Sequence, residues 1–107
     1  MCLFCEIAQH KESAKIFYED ETLIAIENKY PRDPVHILIM PKKHTTIKDL
    51  KEKDKNLLIK IFLLANQLAE KHKVSIGYEL TFNIGNYAHV EHLHLHLMGG
   101  AKIEHKI

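Results

Sequence analysis

From His92 to Met98 the chain alternates without a break, with Leu93, Leu95 and Leu97 set between His92, His94 and His96. Successive side chains on a strand point to opposite faces, so this period puts the leucines on one face and the histidines on the other. The leucine face then needs an apolar cover. From about Glu52, Leu57, Leu58, Ile61, Leu64, Ala65, Leu68 and Ala69 recur at three- and four-residue steps. That is the stripe of an amphipathic helix of roughly 20 residues. Lys53, Lys60, Asn66, Gln67 and Lys71 take its other side, and Gly77 is the expected stop.

The other segments supply a sheet for that helix to lie on. Residues 2–9 read as a short helical turn. Lys15–Glu19 and Thr22–Glu27 read as strands around an Asp20-Glu21 turn, and Val35–Met40 as a third strand stopped at Pro41. Pro31 and Pro34 mark a loop, because each lacks an amide donor and restricts its neighbour. Tyr78–Gly85 alternates Tyr78, Leu80, Phe82 and Ile84 with Glu79, Thr81 and Asn83, giving a fourth strand, and 92–98 is the fifth. The order β-β-β-α-β-β predicts an α+β fold with a mostly antiparallel sheet. An open sheet edge on so small a domain invites two-fold pairing.

Composition narrows the classes. A chain of 107 residues, 46% hydrophobic and 27% charged, is expected to fold as one domain over 1–107. A net charge of +1 gives no electrostatic reason to expect nucleic acid or an anionic membrane as partner. No apolar run reaches the roughly 20 residues of a membrane span. The first residues lack the pattern of a signal peptide, and two cysteines cannot build a disulfide framework, which points to a cytoplasmic protein. Nine histidines are the anomaly.

On a strand, His92, His94 and His96 stand about 6.6 Å apart in succession. Two such histidines can ligate one zinc, which opens a metal-dependent hydrolase. Alternatively, a neutral imidazole is a nucleophile near pH 7, and flanking histidines can donate to phosphate oxygens. The second arrangement uses all three residues.

HLHLHLMGG (92–100) matches the alternating signature of the histidine triad (HIT) nucleotide-binding and hydrolase proteins. PVHILIMPKKH (34–44) and AKIFYEDETLIAI (14–26) resemble the family's other segments, in order and spacing. The resemblance implies a five-stranded antiparallel sheet with one long helix and a short N-terminal helix. It also implies a homodimer whose two sheets join as ten strands. By this likeness His94 is the nucleophile that attacks the α-phosphorus of a purine, adenylate-like nucleotide and forms a nucleotidyl-histidine. His96 and His92 hold phosphate oxygens, and His36 supports them. The nucleoside side falls to Leu3, Phe4, Ile7, Ile26, Asn28 and Lys29, of which Leu3, Phe4, Ile7 and Ile26 serve equally well as core. The phosphate loop falls to Asn83 and Gly85 through His89. The implied activity is that of a nucleoside phosphoramidase, with dinucleoside polyphosphate hydrolysis or nucleotide binding without turnover as alternatives. No cofactor is implied for the chemistry itself.

Two positions depart from the family pattern. Asn28 stands where relatives often carry an acid, and Tyr87-Ala88-His89-Val90-Glu91 replaces a Gly-Gln-Ser/Thr-like stretch. His89 thus occupies the place of a hydroxyl that assists the leaving group, and can serve as general acid there or simply as a surface residue. Cys2 and Cys5 form C-x-x-C, open to a redox dithiol, a metal pair or a chance spacing. Several bacterial relatives carry the same pair and bind a structural zinc, and by this resemblance the ligands here are Cys2, Cys5, His44 and His92. That role competes with phosphate for His92.

Overall fold

The computed structural model describes residues 2–101; the tail beyond Ala101 lies outside them. In chain order the elements are α1 (Leu3–Ala8), β1 (Ile16–Glu19), β2 (Leu23–Glu27), β3 (Val35–Pro41), α2 (Lys55–Lys71), β4 (Tyr78–Phe82) and β5 (Leu95–Gly99). Short 3-10 turns at Ile47–Asp49, Glu52–Asp54 and Gly85–Tyr87 join them. All five strands form one antiparallel sheet in the order β1-β2-β3-β5-β4, so β1 and β4 are its edges.

The sheet is covered on both faces, unequally. Leu23 and Ala25 of β2, Ile37 and Ile39 of β3, and Leu95 and Leu97 of β5 pack with Ile61, Leu64, Ala65, Leu68 and Ala69 of α2. The alternate residues Ile24, Ile26, Leu38 and Met40 meet Phe4, Ile7 and Ala8 of the six-residue α1. Directly opposed residues share a face, so the pairs Leu38–His96, His36–Met98, Thr81–His96 and Glu79–Met98 all lie on the α1 side. Among the described residues no long helix covers them there, and the histidines sit in that gap.

Several boundaries differ from expectation. The helix proper begins at Lys55, after a 3-10 turn over Glu52–Asp54. It stops at Lys71, and Gly77 has no part in stopping it. Lys73 takes a positive φ of 64°, its N–H bonds the Glu70 carbonyl, and the Val74 N–H bonds the Ala69 carbonyl. This is a Schellman closure with lysine where glycine is usual. Residues 83–85 leave the fourth strand, and β3 runs on through Pro41, the last residue of the strand. Most consequential for the site, β5 begins only at Leu95, so His92 and His94 precede it. The alternation of faces nevertheless persists, because the Leu93 N–H is held by the Thr45 carbonyl at 2.7 Å and Leu93 joins the α2-side core.

Candidate functional site

Four histidines converge under the N-terminal turn of α1 and along β3 and β5. His92, His94 and His36 are buried, with 1%, 6% and 7% of their surface exposed, and His96 is partly buried. Burial is the largest cause lowering the pKa of each. His96 is pushed down to about 4 by burial and then by the neighbouring His94, His36, Arg32 and His89. All four are therefore neutral imidazoles near pH 7.

A neutral imidazole has one donor and one acceptor nitrogen, and fixed backbone partners decide which is which. The Arg32 N–H donates to His36 Nδ1 at 2.9 Å, so the proton of His36 lies on Nε2. That Nε2 stands 2.8 Å from His96 Nδ1 and donates to it, which leaves the proton of His96 on its own Nε2. His94 is set in the opposite sense. Its Nδ1–H donates to the His92 carbonyl at 2.7 Å, so its Nε2 keeps a free lone pair. The rings of His94 and His96 are 4.9 Å apart between centroids, edge to face. A lone pair and an N–H donor thus stand on adjacent rings.

His92 does not have a nitrogen free for phosphate. Its Nε2–H donates to the Pro41 carbonyl at 2.7 Å, while Nδ1 lies 3.3 Å from Cys2 Sγ and 3.5 Å from Cys5 Sγ. The phosphate contact expected of it is corrected on that ground. His44 Nδ1 completes the group at 3.5 Å and 3.3 Å from the same sulfurs, and the ligand atoms of all four residues lie within 4.8 Å of one another. Zinc–ligand bonds of about 2.0–2.3 Å in a tetrahedron imply edges of roughly 3.3–3.8 Å. The four sulfur–nitrogen separations match that range, and the sulfurs themselves are closer at 2.9 Å. The Pro41 carbonyl supplies the outer partner that leaves His92 Nδ1 unprotonated for a metal. Burial and the adjacent Cys2 raise the Cys5 thiol pKa, so a bound cation is what would stabilise both thiolates. Cys2, Cys5, His44 and His92 therefore fit a Cys2His2 zinc centre.

The remaining expected residues divide. Phe4, Ile7 and Ile26 belong to the α1-side core, and the Phe4 ring also meets His94 edge-on at 4.9 Å. Leu3 is 47% exposed and Lys29 is exposed. Asn28 Oδ1 accepts the Tyr30 N–H, while its Nδ2, a donor, lies 3.1 Å from the donor Nε2 of His36 and makes no hydrogen bond with it in that tautomer. Asn83 and Gly85 line a crevice with Thr46, Lys48 and Ala88, where Gly85 takes a left-handed φ of 63°. His89 is exposed. Sequence reasoning missed Thr81 and Glu79, which β4 places on the histidine face beside His96 and Met98. The period-two pattern of β4 read against β5 carries that signal.

Fold and site together define a histidine triad protein, and comparison with known proteins places the chain in that family. The family model described as "Scavenger mRNA decapping enzyme C-term binding" matches residues 1–106. An uncharacterised HIT-like protein of Buchnera aphidicola is 34% identical over 106 residues, covering 95% of this chain and 93% of its own. The crystal structure of a HIT family hydrolase from Legionella pneumophila superposes with a TM-score of 0.93 at 41% identity, over 97% of this chain and 96% of that one. A zinc-bound histidine triad family protein from Mycobacterium smegmatis gives 0.78 at 26% identity, over 92% and 73%. The chain belongs to the HIT family and has the fold of its hydrolases. Among the described residues, no helix is long and apolar enough to cross a membrane.

Proposed function

We propose that the protein is a nucleotidyl hydrolase of the phosphoramidase type, acting at the α-phosphorus of purine nucleotide conjugates through a covalent intermediate on His94. The observation that carries this reading is the tautomer of His94, whose Nδ1–H is held by the His92 carbonyl so that Nε2 faces its surroundings as a lone pair. That nitrogen attacks phosphorus, the P–N or P–O bond to the leaving group breaks, and water then cleaves the new P–N bond. His96 Nε2–H, fixed by the His36 relay, donates to a phosphate oxygen as charge builds there. His36 is a positioning residue. The nucleoside lies toward Leu3, Phe4, Ile7, Ile26, Asn28 and Lys29, and the phosphate loop is Asn83 and Gly85 to His89. We assign protonation of the leaving group to His89, on its position in the loop that the family resemblance gives to the leaving-group side.

In this reading the zinc is structural. Cys2, Cys5, His44 and His92 hold it, pinning α1 against the site, and no step of the chemistry passes through it. The zinc-bound mycobacterial relative supports this assignment. The protein acts as a cytoplasmic homodimer, with neither nucleic acid nor membrane as partner.

A brief pulse with an adenosine phosphoramidate, quenched and read by intact mass, tests the covalent step. An adenylyl adduct on the wild-type chain, absent from His94→Ala, is the expected result. Turnover at the wild-type rate in His94→Ala would end the proposal. Binding of AMP with neither adduct nor turnover would assign the chain to the non-catalytic nucleotide-binding class instead.

A further inference from the structure

Beyond their place as metal ligands, Cys2 and Cys5 have the geometry of a reactive pair. Their sulfurs are 2.9 Å apart across one helical turn, and the Cys5 N–H donates to Cys2 Sγ at 3.2 Å. Cys2 is partly exposed and Cys5 is buried, so a small oxidant reaches Cys2 first and Cys5 waits directly behind it. Closing 2.9 Å to a disulfide bond length of about 2.05 Å needs less than ~1 Å of motion. The turn that would close also carries Phe4, whose ring lies against His92 and His94.

We infer that Cys2 and Cys5 form a peroxide-responsive dithiol whose oxidation dismantles the four-ligand centre. The Cys2 thiolate attacks one oxygen of hydrogen peroxide, the O–O bond breaks, and hydroxide leaves, giving a sulfenic acid. The Cys5 thiolate then attacks that sulfur, the S–O bond breaks, and a second hydroxide leaves as the S–S bond forms. The two sulfurs together lose two electrons, the peroxide gains them, and two protons from solvent turn the hydroxides into water. A zinc held by the four residues loses both thiolates at once, and His44 and His92 alone do not complete a tetrahedral site. The disulfide stands independently of the zinc reading; only the release of metal rests on it.

The test uses the full chain as purified without chelator and exposed to hydrogen peroxide. Intact mass and peptide mapping follow the cysteines, and a chromogenic chelator follows free zinc. The expected result is loss of the mass of two hydrogen atoms, a Cys2–Cys5 crosslink within one peptide, and release of zinc in step, all reversed by dithiothreitol with added zinc. Cys2→Ser is expected to form no intramolecular disulfide, and the wild-type peptide map decides the matter should that variant fold poorly. Oxygen added to a single cysteine without a crosslink would overturn the proposal, as would thiols that stay titratable after a free dithiol peptide is fully oxidised. A crosslink in protein that carries no zinc would uphold the dithiol and count against the metal assignment.

Discussion

Acid should destabilise this protein through His96, and replacing that residue should remove a measurable part of the effect. His96 titrates near 6.5 in an unfolded chain and is pushed down to about 4 in the folded one. Between those values the unfolded state binds a proton that the folded state refuses, so stability rises with pH. The contribution is complete above about pH 6.5 and is lost progressively as pH falls toward 4. At about pH 5 the linkage relation gives a loss of about 2 kcal/mol from this one residue. Urea denaturation at about pH 7.5 and pH 5, on wild type and His96→Asn, measures it. With a slope of roughly 2 kcal/mol per molar, the wild-type midpoint should fall about 1 M further than that of the variant. His36, His92 and His94 are lowered in the same direction, and acid competes for the cysteine ligands, but these act in both proteins. Equal falls in the two proteins, within ~0.5 kcal/mol, would refute the claim that burial beside His36 and His94 holds His96 neutral.

Other perturbations have defined outcomes. If Cys5 helps hold a structural zinc and His94 is the nucleophile, as proposed, Cys5→Ser should lower the melting temperature more than it lowers kcat, because metal binding is coupled to folding; unchanged melting with substoichiometric zinc would leave the pair as ordinary thiols. Gly99→Ala should destabilise by about 1–3 kcal/mol in a thermal melt, since the added methyl would sit 2.8 Å from Val74 Cβ, an atom that cannot swing aside. Sedimentation at micromolar concentration should give a dimer, because Ile59, Phe62 and Leu63 are exposed on α2, with Phe62 packed edge-on against Phe82 of the open edge strand β4; a monomer would count against the pairing.

Alternation and the helical stripe made the architecture legible. Leu93, Leu95 and Leu97 fall on the α2 face as their period requires, and Ile61, Leu64, Ala65, Leu68 and Ala69 meet them there. What periodicity could not supply is where a strand begins. His92 and His94 keep the sense of a strand but lie outside β5, and Lys73 closes α2 in a conformation for which the eye looks to glycine. Both failures have one physical source. Side-chain pattern reports which way a residue faces, whereas ladder ends and helix closures are set by backbone hydrogen bonds that are not written in residue identity.

The same limit separates the residues of the site from their roles. Seven named residues — Cys2, Cys5, His36, His44, His92, His94 and His96 — stand out in the sequence and lie together in the fold. The chemical identity of each ring is set by groups without a sequence signature. One main-chain N–H, of Arg32, makes His36 a donor toward His96. Two main-chain carbonyls, of His92 and Pro41, leave the lone pair of His94 on Nε2 and that of His92 on Nδ1. Two of these backbone groups come from segments that proline constrains: Arg32 follows Pro31, and Pro41 ends β3. Proline restricts the backbone without donating a hydrogen bond, which suits it to present a neighbour's N–H or its own carbonyl at a fixed angle. Identical imidazoles a few residues apart are thereby driven to opposite tautomers, and that opposition puts a lone pair beside an N–H donor.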